Sequence, residues 1–296
     1  MKLMLTLLTS NDLHGLKRLV CNVKYELINN GFFDLYPIIV VNTLSEDYYQ
    51  EVLAEKFPFP VIRTESNGKP GKGKNSCFNI FLDSNWDYLT QFDGDDILYP
   101  TYLLSLEQHI RQYSCIDVLG IIPMDVIDYR NVYGHRFNLE ENMYAGVWGV
   151  SLTKIDRELG IGRHESLWDH PTPPSVDFII LQSKKGASFN IDENLAVGED
   201  HLWSLEAFSK HIKGELAYFH TYSSDMFIID RTNENSIQKQ FPQEEHVEEL
   251  RKKAKTYVNE YRSNLGELPI VYKDLLLDQY KKEEWLKNFW IRTKNL

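Results

Sequence analysis

Apolar residues in the first hundred positions follow two alternating patterns. Nearly unbroken runs at residues 3–8 and 37–41 read as strands buried on both faces, and Val61-Ile62 opens a shorter one. A β-prone run with Tyr88, Leu89 and Phe92 makes residues 87–92 a fourth strand. Between these runs the apolar positions recur at helical spacing. Leu16, Leu19, Val20, Val23 and Leu27 follow the turn Thr9-Ser10-Asn11-Asp12, where Asn11 or Asp12 can cap a helix. Further helices are expected near 46–55, at 75–83 and from Pro100 to about 112. Between residues 65 and 75 a Gly/Lys-rich stretch reads as a loop. Strand–helix alternation of this kind implies an α/β fold, a mostly parallel sheet covered by helices on both faces.

The second half is less regular. Residues 116–122 and 124–129 read as strands, 131–137 as a turn and strand, and 140–175 as a long Trp-, His-, Gly- and Pro-rich loop region. A strand at Phe178, a helix opened by Gly198-Glu-Asp200 with Leu202, Leu205 and Phe208 inward, and a last strand at 216–219 ending before His220 complete the domain. Beyond about 243 the chain is charged and helical. The expected division is a domain over 1–240, in two halves at 1–113 and 114–240, followed by a helical extension over 241–296.

Composition narrows the classes. Of 296 residues 43% are hydrophobic and 25% charged, which are ordinary globular proportions. A net charge of -11 argues against a dedicated nucleic-acid binder, which would carry a basic face. Cys21, Cys77 and Cys115 are odd in number, lack ligand spacing and read as thiols of a reducing compartment. The apolar start is interrupted by polar residues from Thr9 onward and reads as a first strand, not a signal peptide. No apolar run is long enough to span a bilayer. A cytoplasmic protein is expected.

The chemistry centres on Trp86-Asp-Tyr-Leu-Thr-Gln-Phe-Asp-Gly-Asp-Asp-Ile-Leu-Tyr-Pro100. A strand here ends in three carboxylates, Asp93, Asp95 and Asp96. Such crowding is relieved by a cation, and a hard divalent ion held by one or two carboxylates with phosphate oxygens completing its shell is the usual arrangement at a nucleotide site. Acidic turn chemistry alone would also produce Asp-Gly-Asp-Asp. In α/β sheets ligands bind at the carboxyl ends of strands, which is where this turn falls.

The order of motifs resembles a GT-A glycosyltransferase, most closely glycosyltransferase family 2, over about residues 3–225. Thr9-Ser10-Asn11 resembles the family's first turn without its Pro and Tyr. Asn42 stands where the family carries an Asp after Val-Val. Gly71-Lys-Gly-Lys-Asn-Ser-Cys-Phe-Asn79 resembles its Gly-x-x-x-Ala-Arg-Asn helix entry, Phe92-Asp-Gly-Asp-Asp96 its Asp-x-Asp motif, and Gly198-Glu-Asp200 the acidic pair that opens its catalytic helix. Tyr218-Phe-His220 with Ser223-Ser224 resembles its late strand and His-x-x-Ser segment.

The resemblance implies a metal-dependent, inverting transfer of a sugar from a nucleotide sugar, a UDP-sugar first, to a hydroxyl acceptor such as a glycan. Asp95, Asp93 and His220 would hold Mn²⁺ or Mg²⁺. Thr9, Asn11, Asn42, Lys72, Lys74, Asn79, Asp93 and Gly94 would line the donor site. Asp200 would be the general base, with Glu199 beside it. Tyr144, Trp148, Trp168 and His170 are candidates to stack on an acceptor, and the C-terminal helices could join copies of the chain. A retaining transferase, a nucleotidyltransferase on a similar sheet and a non-catalytic carbohydrate- or partner-binding domain are the alternatives, and a hydroxylated base in DNA is an alternative acceptor.

Overall fold

A computed structural model describes residues 1–94, 96–98, 102–112, 115–127, 178–196 and 199–230. Strand β1 (Lys2–Thr9) is apolar on both sides: Leu3, Leu5 and Leu7 enter one core layer, Met4 and Leu8 the other. Strand β2 (Asp34–Asn42) repeats the pattern, with Ile39 and Val41 in the first layer and Ile38 and Val40 in the second. Strands like these need cover on both faces. Helix α1 (Leu13–Asn29) supplies it on one face through Leu16, Leu19, Val20 and Val23, and Asp12 caps it by accepting the Gly15 N–H at 2.8 Å. Helix α2 (Glu46–Ala54) packs Val52 into the same layer.

Strand β3 (Val61–Thr64) leads to helix α3 (Pro70–Leu82), which covers the other face with Cys77, Phe78 and Phe81. Then follow β4 (Tyr88–Asp93), β5 (Ile97–Leu98), α4 (Tyr102–Gln112), β6 (Val118–Ile127), β7 (Phe178–Ser183), a 3₁₀ turn at Gly186–Ser188, α5 (Glu199–Ile212) and β8 (Tyr218–Asp230). Among the described residues these strands form one sheet in the order β3-β2-β1-β4-β7-β6-β8-β5. Strands β1 to β4 pair in parallel. Strand β7 runs antiparallel to β4 and β6, and β8 is parallel to β6. The fold is a mixed, mostly parallel sheet with flanking helices, as the resemblance to GT-A enzymes implies. No helix among the described residues is long and apolar enough to cross a membrane.

Three sequence expectations change. Helix α3 starts at Pro70, so Gly71, Lys72, Gly73 and Lys74 are its first turns and not a loop. Proline suits a first helical position, where its missing N–H costs nothing. The glycines serve close approach: a Cβ on Gly71 would lie 2.6 Å from the Asp192 carbonyl oxygen, and one on Gly73 would lie 3.1–3.3 Å from Leu8 and Asn42. The strands expected at 116–122 and 124–129 are a single β6 whose register shifts between Pro123 and Asp125. Strand β8 does not stop at Phe219 but continues to Asp230, which puts His220 inside it, opposite Gly120. The expected loop over 140–175 with its aromatic residues, and the helical extension over 241–296, lie outside the described residues.

Gly71→Ala tests the close approach. The backbone oxygen facing the new methyl cannot rotate away, so the helix must shift. Unfolding free energy should fall by roughly 1–3 kcal/mol, the usual cost of overpacking. Denaturant titration would measure it, and an unchanged midpoint would contradict the contact.

Candidate active site

Parallel pairing puts the carboxyl ends of β1, β2, β3 and β4 on one edge of the sheet. Leu8 is level with Asp93, Thr9 with Val41, and Asn42 with Thr64. The acidic turn packs directly on the end of β1: a Cβ on Gly94 would be 2.9 Å from the Leu8 carbonyl oxygen and 3.1 Å from Thr9. Asp96 closes this turn. It is buried, its carboxylate accepts the Asp93 N–H at 3.1 Å, and its own N–H donates to the Asp93 carbonyl at 3.0 Å. The Asp96 carboxylate thus fixes the backbone, while the Asp93 side chain stays 36% exposed. Helix α1 holds the segment beyond: Asn22 accepts the Leu98 N–H at 3.2 Å, and Glu26, one turn later, accepts that of Leu103 at 3.0 Å.

Helix α5 brings the second acidic pair to this edge. Glu199 and Asp200 occupy its first turn, where the helix dipole favours negative charge. Trp203, one turn on, anchors the helix: its ring stacks on Phe189 at 4.5 Å and its indole N–H donates to the Phe189 carbonyl at 3.1 Å. Lys74 of α3 joins the two acidic elements. Its Nζ lies 2.8 Å from Glu199 Oε1, 3.5 Å from Asp200 Oδ2 and 4.0 Å from Asp93 Oδ2.

These charges are largely out of water. The Lys74 side chain is 10% exposed and that of Glu199 6%, against 24% for Asp200. Burial works against the charge on Lys74, but Glu199, Asp200 and Asp93 outweigh it and hold the ammonium protonated well above its usual range. Burial pushes the Glu199 carboxyl up to about 7, Lys74 pulls it back, and the charge of Asp200 adds to the rise. The two rises belong to one cluster with more acids than bases. Lys74 keeps its proton because three carboxylates face it, and Glu199, the most buried acid, is the first to give up its charge.

This has a consequence for stability. The folded protein holds on Glu199, up to about pH 7, a proton that the unfolded chain releases near 4.5. The contribution is therefore full below about pH 4.5 and is lost as pH rises through about 7. Glu199→Gln should flatten the pH dependence of unfolding free energy across that window. Denaturant titrations at several pH values would measure it, and parallel profiles for the two proteins would refute it.

Other expected site residues have different neighbours. The Thr9 hydroxyl is buried and hydrogen-bonded to the Tyr48 hydroxyl, whose own proton burial holds on up to about 12. The Asn42 amide donates to Thr64 Oγ1 at 2.9 Å and to the Glu65 carbonyl at 2.8 Å, which ties the ends of β2 and β3 together. Asn11 is exposed at the entry to α1. Lys72 pairs with Glu193 at 3.5 Å instead of joining the cluster around Lys74. Asn79 is exposed, beyond the turn of α3 that carries Lys74, and is not part of that cluster. Asp95 and Gly198 lie outside the described residues, as does the side chain of His220.

Asn75 was not singled out in the sequence, yet it makes the tightest link between α3 and the approach to α5. Its Nδ2 donates to the Ile191 carbonyl and to Glu193 Oε1, both at 2.9 Å, and its Oδ1 accepts the Ile191 N–H at 2.8 Å. Asn67 and Lys69 add bonds to the carbonyls of Glu193 at 3.0 Å and Asn194 at 2.7 Å. The available signal was a polar residue one turn before the apolar Phe78 on a helix otherwise turned to the core.

Asp93 and the Glu199-Asp200 pair thus meet at the carboxyl edge of the sheet. The chain belongs to glycosyl transferase family 2, whose family model matches residues 9–169. No curated protein matches it. Among solved structures it is similar to residues 1–349 of S. aureus TarS in complex with UDP-GlcNAc, at 13% identity and a TM-score of 0.51, covering 82% of this chain and 62% of that one. It is also similar to the mannosyltransferase PcManGT from Pyrobaculum calidifontis in complex with GDP-Man and Mn²⁺, at 10% identity and a TM-score of 0.50, covering 88% and 69%. At such identities the likeness is one of fold. The chain spans less than two thirds of the TarS fragment and 37% of the longer TarS chain.

Proposed function

We propose that this protein moves a sugar from a nucleotide sugar, a UDP-sugar first, to a hydroxyl acceptor, with inversion and with a divalent ion. The observation that carries the reading is the meeting of Asp93, Glu199 and Asp200 around Lys74 at the carboxyl edge. Among the described residues no three His, Cys, Asp or Glu side chains gather on one ion position, but carboxylate oxygens suit a hard ion and the acids around Lys74 outnumber it. Asp93, the most exposed of the three, would hold Mn²⁺ or Mg²⁺ together with Asp95, with His220 a further candidate ligand. Bound there, the ion supplies Lewis-acid stabilisation of the departing diphosphate. The solved complexes with UDP-GlcNAc and with GDP-Man and Mn²⁺ support a nucleotide-sugar donor and a metal in this fold.

The chain's own residues divide the remaining work. Asp200 reaches solvent and can accept the proton of an attacking hydroxyl, a role typically worth 10²–10⁴ in rate. Glu199 is buried against Lys74 and orients it. The backbone turn closed by Asp96 keeps Asp93 aimed at the edge. Incubating the protein with a panel of nucleotide sugars and Mn²⁺ should release nucleotide slowly from one of them. No release from any donor by folded protein, with Mn²⁺ or Mg²⁺, would overturn the reading.

A further inference from the structure

We propose that Lys74 is the resident counter-cation of the acidic site, so that its ammonium opposes uptake of a divalent ion at Asp93 until a nucleoside diphosphate brings in compensating negative charge. The inference rests on the metal–nucleotide reading above and adds an order of loading to it: nucleotide and ion together, not ion first.

The geometry carries this. Lys74 Nζ stands 4.0 Å from Asp93 Oδ2 while remaining within 2.8 Å of Glu199 and 3.5 Å of Asp200. A surface lysine could swing away from an arriving ion. Lys74 is 8% exposed, and the helix that carries it is held against the sheet by the close contact of Gly73 with Leu8 and Asn42. The chain supplies Glu199, a nearly fully buried acid, to keep the ammonium in place. The buried Lys74 and Glu199 charges are little screened by salt, and Asp93, 36% exposed, is the side open to an arriving ion. An ion on Asp93 therefore meets a fixed positive charge as neighbour. The diphosphate removes that penalty by placing negative oxygens beside both cations, and by reciprocity the ion must then tighten nucleotide binding by the same factor. Lys74 is on this account a positioning residue: it touches the acids and sets their charge, and takes no part in bond making.

The test is Mn²⁺ binding by calorimetry to nucleotide-free protein. Wild type and Lys74→Arg should bind weakly and alike. Lys74→Met, which keeps the length of the side chain without its charge, should bind at least tenfold more tightly while its turnover falls. A residue needed only for structure would weaken Mn²⁺ binding when removed. Should Lys74→Met fail to give a folded circular-dichroism spectrum, Glu199→Gln can be compared with Glu199→Gln/Lys74→Met, where one buried acid has been neutralised. Wild-type Mn²⁺ affinity must also rise on adding UDP, a measurement that needs no variant. Equal or weaker Mn²⁺ binding in the lysine-free protein overturns the inference and leaves a metal-dependent donor site standing, whereas a wild-type affinity unchanged by UDP overturns the inference and the metal–nucleotide reading together. Absence of Mn²⁺ uptake by wild type even with UDP overturns both.

Discussion

Asp200→Asn is expected to lower turnover by about two to four orders of magnitude while leaving donor and metal affinity near those of the wild type. The side chain is the more exposed of the pair that opens α5, at 24% against 6% for Glu199. Its partner Lys74 lies 3.5 Å away but makes its shorter contact, 2.8 Å, with Glu199. Asparagine keeps the shape and loses the ability to take a proton. The loss should fall on kcat, because the interaction removed exists in the transition state and not in the donor complex. Glu199→Gln should cost less in rate, since its carboxylate faces the lysine and not the solvent. Steady-state kinetics with the donor found by the hydrolysis screen, together with calorimetry for UDP, would separate the two effects. Near-normal transfer by Asp200→Asn would remove Asp200 as the base and move weight to Glu199 or to a retaining mechanism.

The second large effect concerns the metal. Asp95→Ala should abolish the divalent-ion dependence of UDP binding, with the fold intact by circular dichroism. Asp93 and Asp96 are joined by two bonds of their own, through the Asp96 carboxylate and the Asp96 N–H. Calorimetry with Mn²⁺ and with chelator would measure the difference, and equal UDP affinity in the two conditions for the wild type would contradict the reading.

The sequence by itself determined the frame. Runs such as Leu3–Leu8, broken only by Thr6, and Ile38–Val41 carry apolar residues on both faces, which marks them as strands under two helical layers, and the helices between them implied parallel pairing. Parallel pairing in turn required the residues after each strand, Thr9, Asn42 and Asp93, to share an edge. A helix cap at Asn11 or Asp12, which the structure resolves to Asp12, and Glu199-Asp200 at the mouth of a helix were equally local readings.

Tertiary structure decided which polar side chains remain available at that edge. Periodicity says which face a residue occupies, not what meets it there. Lys72 and Lys74 look equivalent in the chain, but only Lys74 lies among the acids, 125 residues from the Glu199 it binds. Lys72 meets Glu193 instead. Asn75 and Asn79 stand one helical turn apart; the first is clasped by Ile191 and the second is exposed. Thr9 and Asn42 end their strands as expected, yet their side chains bond to Tyr48 and to Thr64. The start of α3 was hidden because glycines read as loop, whereas here they admit the backbone of Asp192 and the end of β1. In each case the deciding partner comes from a distant part of the chain, and burial gives that contact an energy that local preference cannot match.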